Sequence, residues 1–228
     1  MSATSPNRTI SLPESSTHAG FLSLPIDLRN NIYRQVLAVP HPIFLFQDPR
    51  CPIESFAPEK PSQWLVLLYT NHQVSKEAKA LYNTNEFVLE ESTKRQGSLV
   101  KSFLNCIGPV NAGFLSYLRM DFPATERVDG QLGEIKIRKD GLQTLRLLQE
   151  QCTNLKTLET LVYGPNYGLL TDQEIDIRLL RDALQDINTQ LRAIEPLDRI
   201  IVRVCSGSAT PPTIEFMEEL GWIIFTKT

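Results

Sequence analysis

The chain has 228 residues, 42% of them apolar, which is enough for a compact domain with a real core and too much for an intrinsically disordered chain. Charged residues make up 21% and sum to a net charge of −3, so no overall basic field exists to hold a nucleic-acid backbone or an anionic membrane surface. The longest apolar run, 64–69, is far too short to cross a bilayer, and the amino end lacks an apolar signal core.

Ser, Thr and Pro fill ten of the first twenty positions, so 1–20 reads as a disordered tail that cannot bury enough apolar surface to offset its ordering entropy. At Ser23, Leu24 and Pro25 a cap and a helix-opening proline precede Leu28, Ile32 and Val36 at steps of four, which predicts a short amphipathic helix. Pro40 and Pro42 stop it; 43–46 reads as a strand and 48–61, with four prolines, as a loop. From Trp64 the pattern is helical again, with Val74, Ala78, Leu81 and Tyr82 on one stripe, and 87–89 reads as extended. Val100, Phe103, Leu104 and Ile107 mark a further helix before Gly108 and Pro109, and the last half of 115–122 alternates like a strand. Asp140 and Gln143 are placed to cap a helix carrying Leu142, Leu145, Leu148 and Cys152, with 158–163 as its strand. Thr171 and Glu174 form a capping box for a helix showing Leu180, Ala183, Leu184, Ile187 and Leu191 on one face, and 197–204 follows as a strand. Pro211 and Pro212 open a last helix, Gly221 closes it, and 222–225 ends the pattern as a strand.

This alternation predicts an N-terminal helical segment at 21–90 and an α/β region at 91–228 with a mostly parallel sheet, because parallel neighbours need a long crossover. Three strand segments share an L-x-x-L-x-L-like pattern: Leu115, Leu118, Met120; Leu158, Leu161, Tyr163; and Leu197, Ile200, Val202. Two architectures produce that spacing, a degenerate leucine-rich-repeat-like array and an ordinary layered α/β domain.

Residues that carry chemistry are sparse. Cys51, Cys106, Cys152 and Cys205 lack C-x-x-C spacing and read as reduced thiols packed as small hydrophobes, which places the chain in a reducing, intracellular compartment. His18, His41 and His72 supply neither a metal cluster nor a catalytic pair, and His72 reads as a polar residue at a helix start. Dinucleotide, P-loop, nucleophile-elbow and zincin signatures are absent, so no cofactor, metal or catalytic residue is assigned and a non-enzyme is expected. Asp172, Glu174 and Asp176 read as acids attracted to a helix start, and Lys136, Arg138 and Lys139 as a solvated face. The loops 163–168 and 205–212, at the carboxyl ends of strands, are the enzyme-like hint; the second leads into a helix amino end suited to a small anion.

Residues 24–37, LPIDLRNNIYRQVL, resemble the opening of an F-box, whose pattern is L-P-x-[DE]-L-x-x-x-I followed by further apolar positions. More particularly, the run Leu24, Pro25, Leu28, Arg29, Asn30, Ile32, Tyr33 is similar to the start of a large group of fungal F-box-like proteins. That group carries a later segment to which 67–87, LLYTNHQVSKEAKALYNTNEF, is similar, and 103–118 resembles a third. What the resemblance implies is a protein-interaction module: Leu24, Pro25, Leu28, Ile32 and Val36 would dock a Skp-type adaptor of a cullin ubiquitin ligase, and the C-terminal region would bind the substrate. The proline-rich stretch before Trp64 departs from a standard F-box. Two other readings stay open on the residues themselves. In one, Leu28 and Ile32 pack on the Val74/Leu81 helix and the chain is a free-standing scaffold or regulatory protein; in the other, it is an enzyme of unfamiliar type whose pocket lies at the two loops.

Overall fold

Pro25, with φ at −51°, stands at the N-cap position of helix α1 (Ile26–Leu37), where its missing N–H costs nothing. The structure, a computed structural model, describes residues 20–60, 64–89, 95–127, 135–162, 170, 176–205 and 209–226. Strand β1 (Ile43–Phe46) follows, and inside the stretch expected to be a loop β2 (Glu54–Phe56) pairs with it antiparallel, Phe44 opposite Phe56. Three residues between prolines show no readable alternation, and a sheet edge is where prolines can flank a strand. A 3-10 segment (Trp64–Tyr69) leads into α2 (His72–Tyr82), capped by the Asn71 side chain, which accepts from the Val74 N–H at 3.0 Å.

Next come β3 (Phe87–Leu89), α3 (Gln96–Ile107), the short α4 (Pro109–Ala112) and β4 (Tyr117–Asp121). A separate antiparallel ribbon of β5 (Thr125–Arg127) and β6 (Ile135–Ile137) occupies a polar stretch where no strand was expected. Then α5 (Lys139–Gln151), β7 (Thr157–Val162), α6 (Ile177–Arg192), β8 (Arg199–Val204), α7 (Pro211–Glu219) and β9 (Ile223–Thr226) complete the chain. Asp140 does not cap α5. The helix begins one residue earlier, and the Asp140 carboxylate accepts from Arg138 Nη2 at 2.8 Å and from the Gly141 N–H at 3.1 Å. Asp176 caps α6, accepting from the Arg178 N–H at 2.8 Å; the expected box at Thr171 and Glu174 lies outside the described residues, as do His18 and the loop 163–168.

The fold is α/β with a seven-stranded, mostly parallel sheet in the order β2-β1-β3-β4-β7-β8-β9. Every neighbour from β1 onward is parallel, and β2 alone runs against the rest. Among the parallel strands β1, β3, β4, β7, β8 and β9 each lies beside the one before it, so their winding never reverses. That is the order of a repeat array, and it has no switch point of the kind where doubly wound sheets open a ligand crevice. With right-handed crossovers, a sheet that always advances the same way carries its helices on one face.

Side-chain burial marks that face. Phe87, Leu118, Leu158, Ile200 and Val202 join one continuous core with the helices. Val88 and Ile201 are also buried but stay outside this core, because alternate strand residues point to the opposite face. Aromatic rings tie the N-terminal half together: Phe87 packs between Tyr82 at 5.4 Å and Phe103 at 5.2 Å. All four cysteines are free thiols, but only Cys152 is fully buried. Cys51 and Cys106 are exposed, Cys106 because it falls off the row of α3 that carries Val100, Phe103 and Leu104. Among the described residues no helix is long and apolar enough to cross a membrane.

Candidate functional site

A step of four residues turns an α-helix by 400°, so a row at i, i+4, i+8 drifts by about 40° per step. On α1 that drift carries the row Leu28, Ile32, Val36 from solvent toward the interior. Leu28 is 50% exposed, Ile32 38%, and Val36 is half-buried against the core. The buried row is the adjacent one, Arg29, Tyr33 and Leu37. The stripe expected to be the apolar face is therefore a flank of the helix. Of the other two proposed docking positions, Leu24 is half-buried and Pro25 is exposed.

Arg29 can be buried because its donors are used. Nε and Nη2 donate to Glu77 Oε2 and Oε1 at 2.9 and 2.7 Å, and Nη1 donates to the carbonyls of Leu22, at 3.3 Å, and Leu24. The Tyr33 hydroxyl donates to Glu77 Oε2 at 3.0 Å and Gln73 Nε2 to Oε1 at 3.1 Å. Asn85 closes the other end of the seam, donating to the carbonyls of Leu37 and Tyr82 at 2.9 and 2.8 Å and accepting from the Val39 N–H at 3.0 Å. Arg29, Tyr33, Glu77 and Asn85 thus hold α1 against α2. Leu28 and Ile32 do no comparable internal work.

The Arg29 guanidinium, against the effect of burial, holds the Glu77 carboxyl at about 2, below its ordinary 4.5. A lowered folded-state pKa contributes stability that is complete above about 4.5 and is lost as pH falls through about 2. Burial, and then the bond to Glu77, lifts the Tyr33 phenol to about 12, so its contribution is complete below 10 and is lost as pH rises through about 12. In urea titrations at a series of pH values, Glu77→Gln is expected to flatten the fall in midpoint between pH 5 and pH 2; an unchanged acid limb would show that the seam does not couple to protonation.

The second candidate is the sheet face opposite the helices. Glu159, in the middle of β7, stands directly across from Arg119 of β4, with Arg203 of β8 on the diagonal. Its side chain is 2% exposed. Arg203 Nε donates to Oε1 and the Tyr117 hydroxyl to Oε2; Arg119 Nε sits 2.5 Å from Oε1, close enough for an ion pair, with its N–H misaligned for a hydrogen bond. Arg203 also stacks over the Phe225 ring, 5.0 Å from guanidinium carbon to centroid. Burial alone would raise the Glu159 pKa, but the Arg203 guanidinium, the Tyr117 hydroxyl and the Arg119 charge outweigh it and hold it below 4.5. The same face exposes Phe46 and Phe56 on the strands at one end of the sheet and Ile223 and Phe225 on the strand at the other. None of Tyr117, Arg119, Glu159 and Arg203 was picked out from the sequence.

The remaining candidates take ordinary structural roles. His41 and His72 are exposed, and His72 is the first residue of α2. Lys136 and Lys139 are exposed, and Arg138 pairs with Asp140. Residues 206–208 of the second loop lie outside the described set. Among the described residues no group of three or more His, Cys, Asp or Glu is placed to hold a metal ion. Compared with protein-family models, curated proteins and solved structures, the chain matches none.

Proposed function

We propose that this chain is a non-enzymatic, F-box-like protein-interaction module. The flank of α1 formed by Leu28 and Ile32, with Pro25 at its start, docks a Skp-type adaptor of a cullin ubiquitin ligase. The helix-free sheet face around Glu159, Arg203 and Phe225 presents the recognition surface for a substrate protein. The observation that carries the reading is the exposure of Leu28 and Ile32. Two branched apolar side chains next to each other on a helix that is pinned down along its other side are poorly placed for water and well placed for a partner. Arg29 and Tyr33 on the same helix are taken up by the α1–α2 seam, which Leu28 and Ile32 do not join.

The test is adaptor binding by the folded chain. Leu28→Asp and Ile32→Asp are each expected to weaken it at least about thirtyfold, the loss typical of an interface hot spot, with the circular dichroism spectrum unchanged. Failure of folded wild type to bind any Skp-type adaptor, or wild-type affinity in both variants, overturns the proposal. That outcome favours the second reading, a free-standing scaffold or regulatory protein. The anchoring of α1 by Arg29, Tyr33 and Glu77 supports it, because the helix is already part of this chain's own core.

A further inference from the structure

The two edges of the seven-stranded sheet are built differently. At one, β2 carries Glu54 and lies between Pro52 and Pro58, the charge and prolines with which proteins keep an edge strand from pairing. At the other, β9 reads Ile223, Ile224, Phe225, Thr226, with neither charge nor proline, and β8 is its only strand partner among the described residues. Its second edge therefore offers main-chain donors and acceptors to an added strand. Beside that edge, on the helix-free face, β8 and β9 hold Arg199, Ile201, Arg203, Ile223 and Phe225. Both arginines are exposed, as are Ile223 and Phe225, and no acid stands among them. Glu159, across from Ile201, is enclosed and already held by Arg203, Tyr117 and Arg119. Arg203 gives only its Nε to that bond. Neither Nη1 nor Nη2 has an acceptor among the described residues, and the guanidinium they belong to stacks over Phe225 of the edge strand.

We propose that this edge takes an extended acidic segment of the substrate protein, its main chain paired with β9 and a glutamate carboxylate bonded to the Nη groups of Arg203. The inference rests on the reading of the helix-free face as the recognition surface for a substrate and asks nothing of the α1 docking site. The reach fits. Strands lie about 4.8 Å apart, so a strand added beyond β9 sits roughly 10 Å from Arg203, and the guanidinium over Phe225 already covers part of that distance. A glutamate opposite Phe225 on the same face spans the rest. Charge selects the class of partner: a second copy of this chain would set the same arginines against themselves, with no acid on β8 or β9 to answer them. A nucleic acid would answer the charge and leave the main-chain edge unpaired. An acidic strand answers both, with ladder bonds giving affinity and alternate side chains giving selection.

The experiment titrates the full chain with an end-blocked peptide of alternating threonine and glutamate, about eight residues long, a usual strand length. Fluorescence anisotropy gives the affinity, and NMR follows the backbone amides of Ile223, Ile224, Phe225 and Thr226. The peptide is expected to shift those amides, slow their hydrogen exchange and bind at least about tenfold tighter than its threonine–glutamine counterpart. The same peptide N-methylated throughout, which keeps the carboxylates and lacks ladder donors, is expected to lose at least as much. In Arg203→Gln, which leaves Glu159 paired with Arg119 and Tyr117, the preference for glutamate over glutamine disappears. The proposal is overturned if the glutamate peptide fails to bind up to about 1 mM, or if its shifts fall away from β9. It is equally overturned if the glutamine or N-methylated peptide binds as tightly, if an oligothymidylate of similar length displaces the peptide as well as the peptide itself does, or if Arg203→Gln keeps the preference. Should that variant fail to fold, the peptide comparison on wild type decides the matter alone. No adaptor is present in these titrations, so a chain that binds no Skp-type adaptor gives the same result here.

Discussion

Glu159→Gln is expected to lower the melting temperature by roughly 10 °C at neutral pH, a loss on the order of 3 kcal/mol in a chain of this size. The carboxylate stands between Arg119 and Arg203, and its removal takes away the charge that both guanidinium groups contact. The cost is concentrated on the glutamate because it is the enclosed member: its side chain is 2% exposed, whereas that of Arg203 is 44% exposed. Arg203→Gln leaves the enclosed carboxylate with the Arg119 guanidinium and the Tyr117 hydroxyl, so it is expected to lower the melting temperature far less. Protonation should imitate the substitution. Glu159 titrates below its ordinary value in the folded chain, so its contribution is present above about pH 4.5 and is lost as pH falls through the lower folded value. Thermal melts followed by circular dichroism check all of this. Equal effects of the two substitutions, or a change within about 2 °C for Glu159→Gln, would sink the charge-balance account.

Phe87→Ala should be still more damaging, costing about 3–5 kcal/mol, a substantial share of the 5–15 kcal/mol that separates a typical folded domain from its unfolded chain. Phe87 is fully buried, and it lies across from both Ile43 of β1 and Leu118 of β4, so its ring is shared by three neighbouring strands. Tyr82 and Phe103 close over it. Both of these rings also line an open cavity of ≈ 190 Å³ between α2, the 3-10 segment and α3, so the emptied space would adjoin an existing one and the surroundings have little material with which to collapse. Phe225→Ala is the matched comparison, on an edge strand with nearly half of its surface in water; it should cost under about 1 kcal/mol. Chemical denaturation of the two variants beside wild type measures the difference, and similar losses would contradict the packing described.

Most of the helices and strands were legible because apolar spacing carries them: the stripe of α6 and the alternation of β4 and β8 each appear within a dozen residues. What the spacing misassigned was α1. Leu28, Ile32 and Val36 are the apolar row, and no periodicity rule buries an arginine; Arg29 goes inside only because Glu77, far along the chain, meets it. The sheet face was hidden for a related reason. Arg119, Glu159 and Arg203 each sit at a polar position of an alternating strand and each reads as a solvent-facing residue. Their meeting depends on register, Arg119 opposite Glu159 and Arg203 opposite Leu161, which is a property of paired strands and not of any one segment.

The unreversed strand order has a bearing on how the chain is made. Leu158 meets Leu118 behind it, Ile200 meets Leu158, and Ile224 meets Val202, so each new strand finds its template already synthesised and already in place. Within the seven-stranded sheet no strand waits on a segment that the ribosome has yet to produce, apart from β1, which is joined from behind by β2 and β3 in turn. Such a molecule can grow as a sheet grows in a loom, row upon row, and at every stage of synthesis the exposed hydrogen-bonding edge awaiting a mate is a single short one.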